Sequence, residues 1–294
     1  MQQTIDELRS TFSCPGLDFE QGHGSLTKAT VATSNATGEL YLHGAHVTGF
    51  QVPGQKPVLW MSKKSLFESG KAIRGGVPIC FPWFGPNAAD PKAPSHGYAR
   101  TKPWRFASAV ASADGNLTLE LQTEINDFAA AFFVTFGKAL EMKLQITLLS
   151  SASGPARYEA ALHTYLGVSD IRSVSIVGLE TTDYIDKVDS GKIKPASGAA
   201  IRFSGECDRV YLDTTATCLL KDPGFARTIS VSKFGSHSTI VWNPSIEKSA
   251  KMADFGDDEW QGMVCIETAN VASNSIELRP GESHTMAATI SVSS

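Results

Sequence analysis

The chain has 294 residues, 42% hydrophobic and 19% charged, enough to bury a large core and longer than one typical domain requires. Its formal net charge is −4 and its pI about 6.0, which argues against a general nucleic-acid or membrane surface. A small anionic ligand stays compatible, because local cations suffice to hold it.

The first residues, MQQTIDELRSTFSC, lack a cationic region followed by an apolar run and do not read as a secretory signal. Thr4 to Ser10 is expected to form a short helix, with Ile5 and Leu8 on one face, that needs docking onto the body. Residues 1–27 are read as an extension. From about Lys28 the pattern is strand-like. Glu39 to Leu42 runs into His43-Gly44-Ala45-His46, where the glycine suggests a bend or bulge. No carboxylate–histidine cluster makes a metal site of His43 and His46.

Lys63 to Arg105 breaks this pattern with five glycines and six prolines, yet carries Phe67, Phe81, Trp83, Phe84, Tyr98 and Trp104. A long irregular segment of this kind inside a compact domain points to function. Arg74 stands before Gly75-Gly76, and the glycines would let the backbone approach a ligand closely. Arg100 closes Ser95-His96-Gly97-Tyr98-Ala99-Arg100. Two arginines in such loops suit bidentate recognition of a phosphate or carboxylate, although each could equally be a surface residue. His96 could position a ligand hydroxyl or act as an acid.

Leu140 to Leu148 is the clearest strand. Leu140, Met142, Leu144, Ile146 and Leu148 share one face and Glu141, Lys143, Gln145 and Thr147 the other. Asn116 to Gln122, Thr228 to Phe234 and Met286 to Val292 alternate likewise. Further β-rich runs are Tyr158 to Leu166, Val174 to Leu179, Val210 to Leu212 and His237 to Trp242. With about fourteen short strands, no βαβ alternation, no repeat and no linker, the expected architecture is all-β: a single large antiparallel β-sandwich over residues 28–294.

Chemistry-bearing residues lie on these strands. His163 falls on the strand face of Arg157, Glu159, Ala161 and Tyr165, which reads as the wall of a polar cleft. Asp208 could accept hydrogen bonds from ligand hydroxyls or simply begin a strand. Glu267 follows the apolar run Met263 to Ile266. A carboxylate there is costly unless used or paired. An imidazole and a carboxylate can serve as acid and base in one proton-transfer reaction near neutral pH. The five cysteines are scattered without metal-ligand spacing and read as buried thiols of a reducing compartment. No run is long enough for a membrane helix, so a cytoplasmic protein is expected. Nucleophile-elbow, P-loop, dinucleotide-binding and HExxH motifs are absent.

Five segments in order, KAIRGGVPICFPWFGP (71–86), SHGYARTKPWRF (95–106), ALHTYLGV (161–168), DRVY (208–211) and residues 241–271, make the sequence resemble the glucose-6-phosphate 1-epimerases of the aldose 1-epimerase superfamily. The resemblance runs from about Thr30 to the C-terminus. It implies a galactose-mutarotase-like β-supersandwich and interconversion of the α and β anomers of a hexose 6-phosphate, with no cofactor and no catalytic metal. It also implies His163 as general acid and Glu267 as general base, with His96 and Asp208 on the sugar and Arg74 and Arg100 on the phosphate. Cys80 and Cys265 lie in matching segments and receive no role. The expected partner is a small-molecule hexose phosphate bound by a monomer, with no nucleic acid and no membrane. The alternatives are an aldose 1-epimerase of free sugars, a non-catalytic sugar-phosphate sensor, and a glycoside hydrolase or lyase, the last needing a second carboxylate opposite Glu267.

Overall fold

The structure, a computed structural model, describes residues 3–294. Two eight-stranded antiparallel sheets dominate it, as the alternation predicts. One sheet runs in the order Ser175–Val177, Cys218–Asp222, Arg227–Phe234, Ser283–Ser293, Ala139–Leu148, Phe128–Phe136, Leu117–Ile125, Arg105–Ala111. Leu140, Met142, Leu144, Ile146 and Leu148 are all buried, as the period of two requires. Phe128–Phe136 escapes that pattern in sequence. Its outward positions include Ala129, Ala131 and Phe133, so no polar alternation marks it.

The second sheet carries Asp208 and Glu267. Its order is Lys192–Lys194, Tyr184–Asp186, Cys207–Tyr211, Ser238–Asn243, Met263–Asn270, Ala160–Leu162, Ile79–Cys80. Tyr165–Gly167 also pairs with Met263–Asn270. Every residue of Met263–Asn270 is buried. A strand covered on both faces reads as a near-continuous apolar run, which accounts for Met263 to Ile266. Val264 and Ile266 join the main core, shared with Leu162, Leu166, Phe132 and Phe136. Met263, Cys265 and Ala269 face the other way, into a smaller cluster with Cys80, Tyr165, Ile240 and Trp242.

At the N-terminus the helix Ile5–Thr11 is fixed by a capping box between Thr4 and Glu7 and buries Leu8 in the main core. Leu17–Gln21 is a strand, hydrogen-bonded to Thr27–Ala32 in a four-stranded sheet with Thr37–Tyr41 and His46–Gln51. Strand structure therefore begins before residue 28. Among the described residues no helix is long and apolar enough to cross a membrane.

The segment 63–105 is irregular apart from Ile79–Cys80 and a short 3-10 turn at Ala99–Thr101. Two histidines hold the Arg74 turn from beneath. His43 Nε2 lies 2.6 Å from the Lys71 carbonyl and His46 Nε2 2.7 Å from the Gly75 carbonyl, each placed to donate. The Gly75-Gly76 pair has a different purpose from close approach to a ligand. A Cβ on Gly76 would lie 2.2 Å from the Val47 carbonyl oxygen, and one on Gly75 2.6 Å from the Met61 Cα. Both residues have positive φ. The glycines pass the backbone between two neighbouring chain segments and so aim Arg74.

Candidate active site

The strand carrying His163 is interrupted where the histidine stands. Ala160–Leu162 and Tyr165–Gly167 both pair with Met263–Asn270, and the ladder lapses at His163 and Thr164. The His163 amide instead donates to the Pro78 carbonyl at 3.0 Å. Leu162 stays opposite Thr268 and Tyr165 opposite Cys265, so His163 comes opposite Glu267. His163 Nε2 and Glu267 Oε1 are 3.4 Å apart, with only 9% and 1% of the side chains exposed. His163 Nδ1 and Glu267 Oε2 are buried without a hydrogen-bond partner.

Aromatic rings fix the imidazole plane. Tyr165 stacks on His163 with centroids 4.8 Å apart and planes 11° from parallel. Trp60 stacks on the far side of Tyr165 at 5.7 Å, and Trp242 meets His163 and Tyr165 edge-on. Arg74 Nη1 donates to Tyr165 Oη at 2.9 Å, while its Nε and Nη2 lie 3.1 and 3.0 Å from Asp254 Oδ2. Asp254, Arg74, Tyr165 and His163 therefore form one connected series.

His96 has φ +66°, next to Gly97 at +75°. A Cβ on Gly97 would fall 2.0 Å from the Phe81 carbonyl oxygen, so glycine is required there. The Gly85 amide donates to His96 Nδ1 at 3.2 Å, which places the proton of the neutral ring on Nε2 and makes that atom a donor. Its ring centroid is 5.8 Å from that of His163. Arg100 Nη2 donates to the Ser95 carbonyl at 2.8 Å, and its buried Nε has no partner. Asp208 pairs in register with Trp242, itself opposite Cys265, and has Lys248 Nζ at 3.6 Å.

The electrostatics tie these residues together. Burial pushes the His163 pKa well below the usual 6.5, helped by His96, Arg100 and Arg74. Burial pushes Glu267 well above 4.5, with Asp208 adding to the rise and Arg100 opposing it. Burial and the two arginines lower His96 to about 3, so it is a neutral donor at physiological pH. Burial raises Asp208, opposed by Lys248 and Lys187. Charge is thus disfavoured on both members of the central pair. The one-proton form that burial favours is imidazole with carboxylic acid, and moving that proton from Glu267 to His163 gives the imidazolium–carboxylate form.

All six residues singled out in the sequence fall in this neighbourhood: His163, Glu267, His96, Asp208, Arg74 and Arg100. Sequence reading missed Asp254 and gave Tyr165 no task beyond its place on the His163 face. Spacing held the clue to Tyr165, two residues from His163 on one strand, whereas Asp254 is 180 residues from Arg74. A groove of about 580 Å³ on the other sheet, lined by Arg105, Gln122, Glu124, Ala129 and Gln145, holds no histidine and no buried carboxylate.

A buried histidine–carboxylate pair on one sheet of an antiparallel β-sandwich is suited to proton transfer, and the wider sequence gives the family. Residues 28–291 match the profile of the family described as Aldose 1-epimerase, and the chain belongs to that family of isomerases. A relative from Escherichia coli K12 is 38% identical over 236 residues, 78% of each chain, and one from Cenchrus ciliaris is 33% identical over 263 residues, 84% of this chain and 79% of that one. Both carry the name "Putative glucose-6-phosphate 1-epimerase". A Salmonella typhimurium crystal structure, described as a "putative mutarotase (YeaD)", superposes with a TM-score of 0.85 at 31% identity, covering 100% of this chain and 96% of that one. An Escherichia coli K12 structure named for aldose 1-epimerase shares the fold at TM-score 0.69 and 14% identity, over 90% of this chain and 98% of that one.

Proposed function

We propose that this epimerase interconverts the α and β anomers of hexose 6-phosphates, glucose 6-phosphate foremost, with His163 and Glu267 as its acid–base pair. The opposed His163–Glu267 geometry carries the reading. Glu267 takes the proton of the C1 hydroxyl while His163 gives a proton to the ring oxygen. The bond between C1 and the ring oxygen breaks, and the open-chain aldehyde forms. Rotation about C1–C2 presents the other carbonyl face. Reclosure returns each proton to its origin, with His163 as base and Glu267 as acid. The pair holds one proton at the start and at the end, which suits a site that disfavours net charge.

The remaining roles follow from donor and acceptor character. His96 Nε2–H donates to a sugar oxygen, and the Asp208 carboxylate accepts from sugar hydroxyls. Arg100, with a free buried Nε–H, and Arg74 attract the phosphate. Arg74 is already engaged by Asp254, so a phosphate must compete for it. That engagement favours a second reading, epimerisation of unphosphorylated aldoses, in which Arg74 serves the site rather than the substrate. The enzyme acts as a cytoplasmic monomer on a small molecule, as one catalytic unit into which the strand Leu17–Gln21 and the helix Ile5–Thr11 are packed.

Freshly dissolved α-glucose 6-phosphate and α-glucose, followed by NMR with and without the protein, separate the readings. Acceleration of the phosphorylated sugar alone is expected. Equal acceleration of both would leave the second reading. Acceleration of neither, with either sugar still bound, would make the protein a sensor.

A further inference from the structure

The acid and base share their pocket with a thiol. Cys265 precedes Glu267 by two residues on the strand Met263–Asn270, so both project from the same face. One ligand atom from each of His163, Cys265 and Glu267 can be chosen such that all three lie within 4.8 Å of one another. All three residues are buried. Tetrahedral zinc, with bonds of about 2.0–2.3 Å to nitrogen, oxygen and sulfur, spaces its ligand atoms about 3.4–3.7 Å apart. His163 Nε2 and Glu267 Oε1 already have that spacing at 3.4 Å. A movement of about 1 Å brings the widest separation, at most 4.8 Å, to that spacing. The buried, unpartnered Oε2 of Glu267 is a second sign that this carboxylate has capacity for a ligand.

We infer that His163, Cys265 and Glu267 form a binding site for a thiophilic divalent cation, of the zinc, cobalt or cadmium class, which blocks the enzyme. Imidazole, thiolate and carboxylate supply three ligands, and a water completes the tetrahedron. Cys265 gives up its thiol proton and the His163–Glu267 pair its one shared proton to solvent as the metal binds, which leaves thiolate, neutral imidazole and carboxylate as the ligands. A soft thiolate selects such cations over magnesium and calcium. The metal has no part in the reaction. It occupies the nitrogen and oxygen that move the protons and so competes with sugar. The blocking half of this inference rests on the acid–base roles proposed above, and the binding half does not.

Cobalt(II) titrated into the reduced 294-residue protein tests the binding half. A thiolate-to-cobalt charge-transfer band saturating at one metal per chain is expected. It should vanish in Cys265→Ala, persist in the control Cys80→Ala and be displaced by zinc. No band from folded protein, or a band undiminished in Cys265→Ala, would overturn the site. Should Cys265→Ala not fold, Glu267→Gln provides the same test, expected to weaken cobalt binding by about tenfold or more. Zinc should also slow anomer exchange competitively and reversibly on chelation, with Cys265→Ala active and at least about tenfold less sensitive. A band with no turnover in any variant would retain the metal site and remove the proposed function instead. Turnover unaffected by zinc while the band forms would overturn the blocking half.

Discussion

Glu267 places a carboxylate where a soluble domain ordinarily places a hydrocarbon. Its Oε2 has no partner, and burial holds its pKa well above the usual value. Removing the ionisable group should therefore abolish function and relieve the fold together. Glu267→Gln is expected to lose about 10²–10⁴ in kcat, and His163→Asn a similar factor, in anomer-exchange assays with far-UV circular dichroism unchanged. The sign of the stability effect follows from linkage. A carboxyl whose folded pKa is raised favours the folded state below its unfolded pKa near 4.5, and that contribution is lost as pH rises. Melting temperatures of Glu267→Gln and wild type should thus converge near pH 4–5, with the variant the more stable at pH 7–8. A widening gap on acidification would contradict the raised pKa. The pH profile of turnover carries the same signature. With His163 lowered and Glu267 raised, the one-proton state spans neutral pH, so kcat should be flat there, its acid limb below 6.5 and its alkaline limb above 4.5. A narrow optimum confined between those two values would argue against a coupled pair.

The elements that matter are the interrupted strand and the loop crossing its edge. The stack of Trp60, Tyr165 and His163 fixes the imidazole plane, and Arg74 anchors the Tyr165 hydroxyl. Tyr165→Phe preserves the stack and removes one hydrogen bond, so kcat should fall modestly, by about tenfold or less. Tyr165→Leu removes the ring. It should lower kcat by a further factor with little change in KM, since geometry rather than affinity is lost. Equal effects of the two variants would assign the tyrosine's contribution to its hydroxyl alone. The loop has its own requirement. Gly76→Ala introduces a Cβ at φ +58° and 2.2 Å from a backbone oxygen, and should cost about 1–3 kcal/mol or more in denaturant unfolding. It should also raise KM through misplacement of Arg74.

Across the whole molecule the two large sheets divide the work. One supplies core without chemistry: Phe132, wholly buried on Phe128–Phe136, packs edge-on against Trp104. Phe132→Ala is expected to cost about 3–5 kcal/mol in urea unfolding while leaving kcat near wild type below the transition. The other sheet turns its second face to the candidate site. Its strands bring together residues far apart in sequence, Ile240 beside Glu267 and Asp208 beside Trp242, because an antiparallel ladder aligns side chains by register rather than proximity along the chain.

That difference separates what the sequence determined from what the fold decided. Alternation along Leu140–Leu148 and its fellows settled the all-β class, since a period of two leaves one face for the core. The apolar run ending at Glu267, the histidine on a polar strand face and the arginines in broken loops made six candidates legible, because each residue type conflicts with its immediate surroundings. Phe128–Phe136 was not legible, because small and aromatic residues on both faces erase the alternation. Nor was the purpose of Gly75-Gly76, which depends on the chain segments at Val47 and Met61. Tertiary structure alone set His163 against Glu267 at 3.4 Å, tied Arg74 to Asp254 and Tyr165, and brought the Cys265 thiol into the same pocket. Periodicity is a local property of the backbone. A proton-transfer distance depends on the register of strands a hundred residues apart, which only packing fixes.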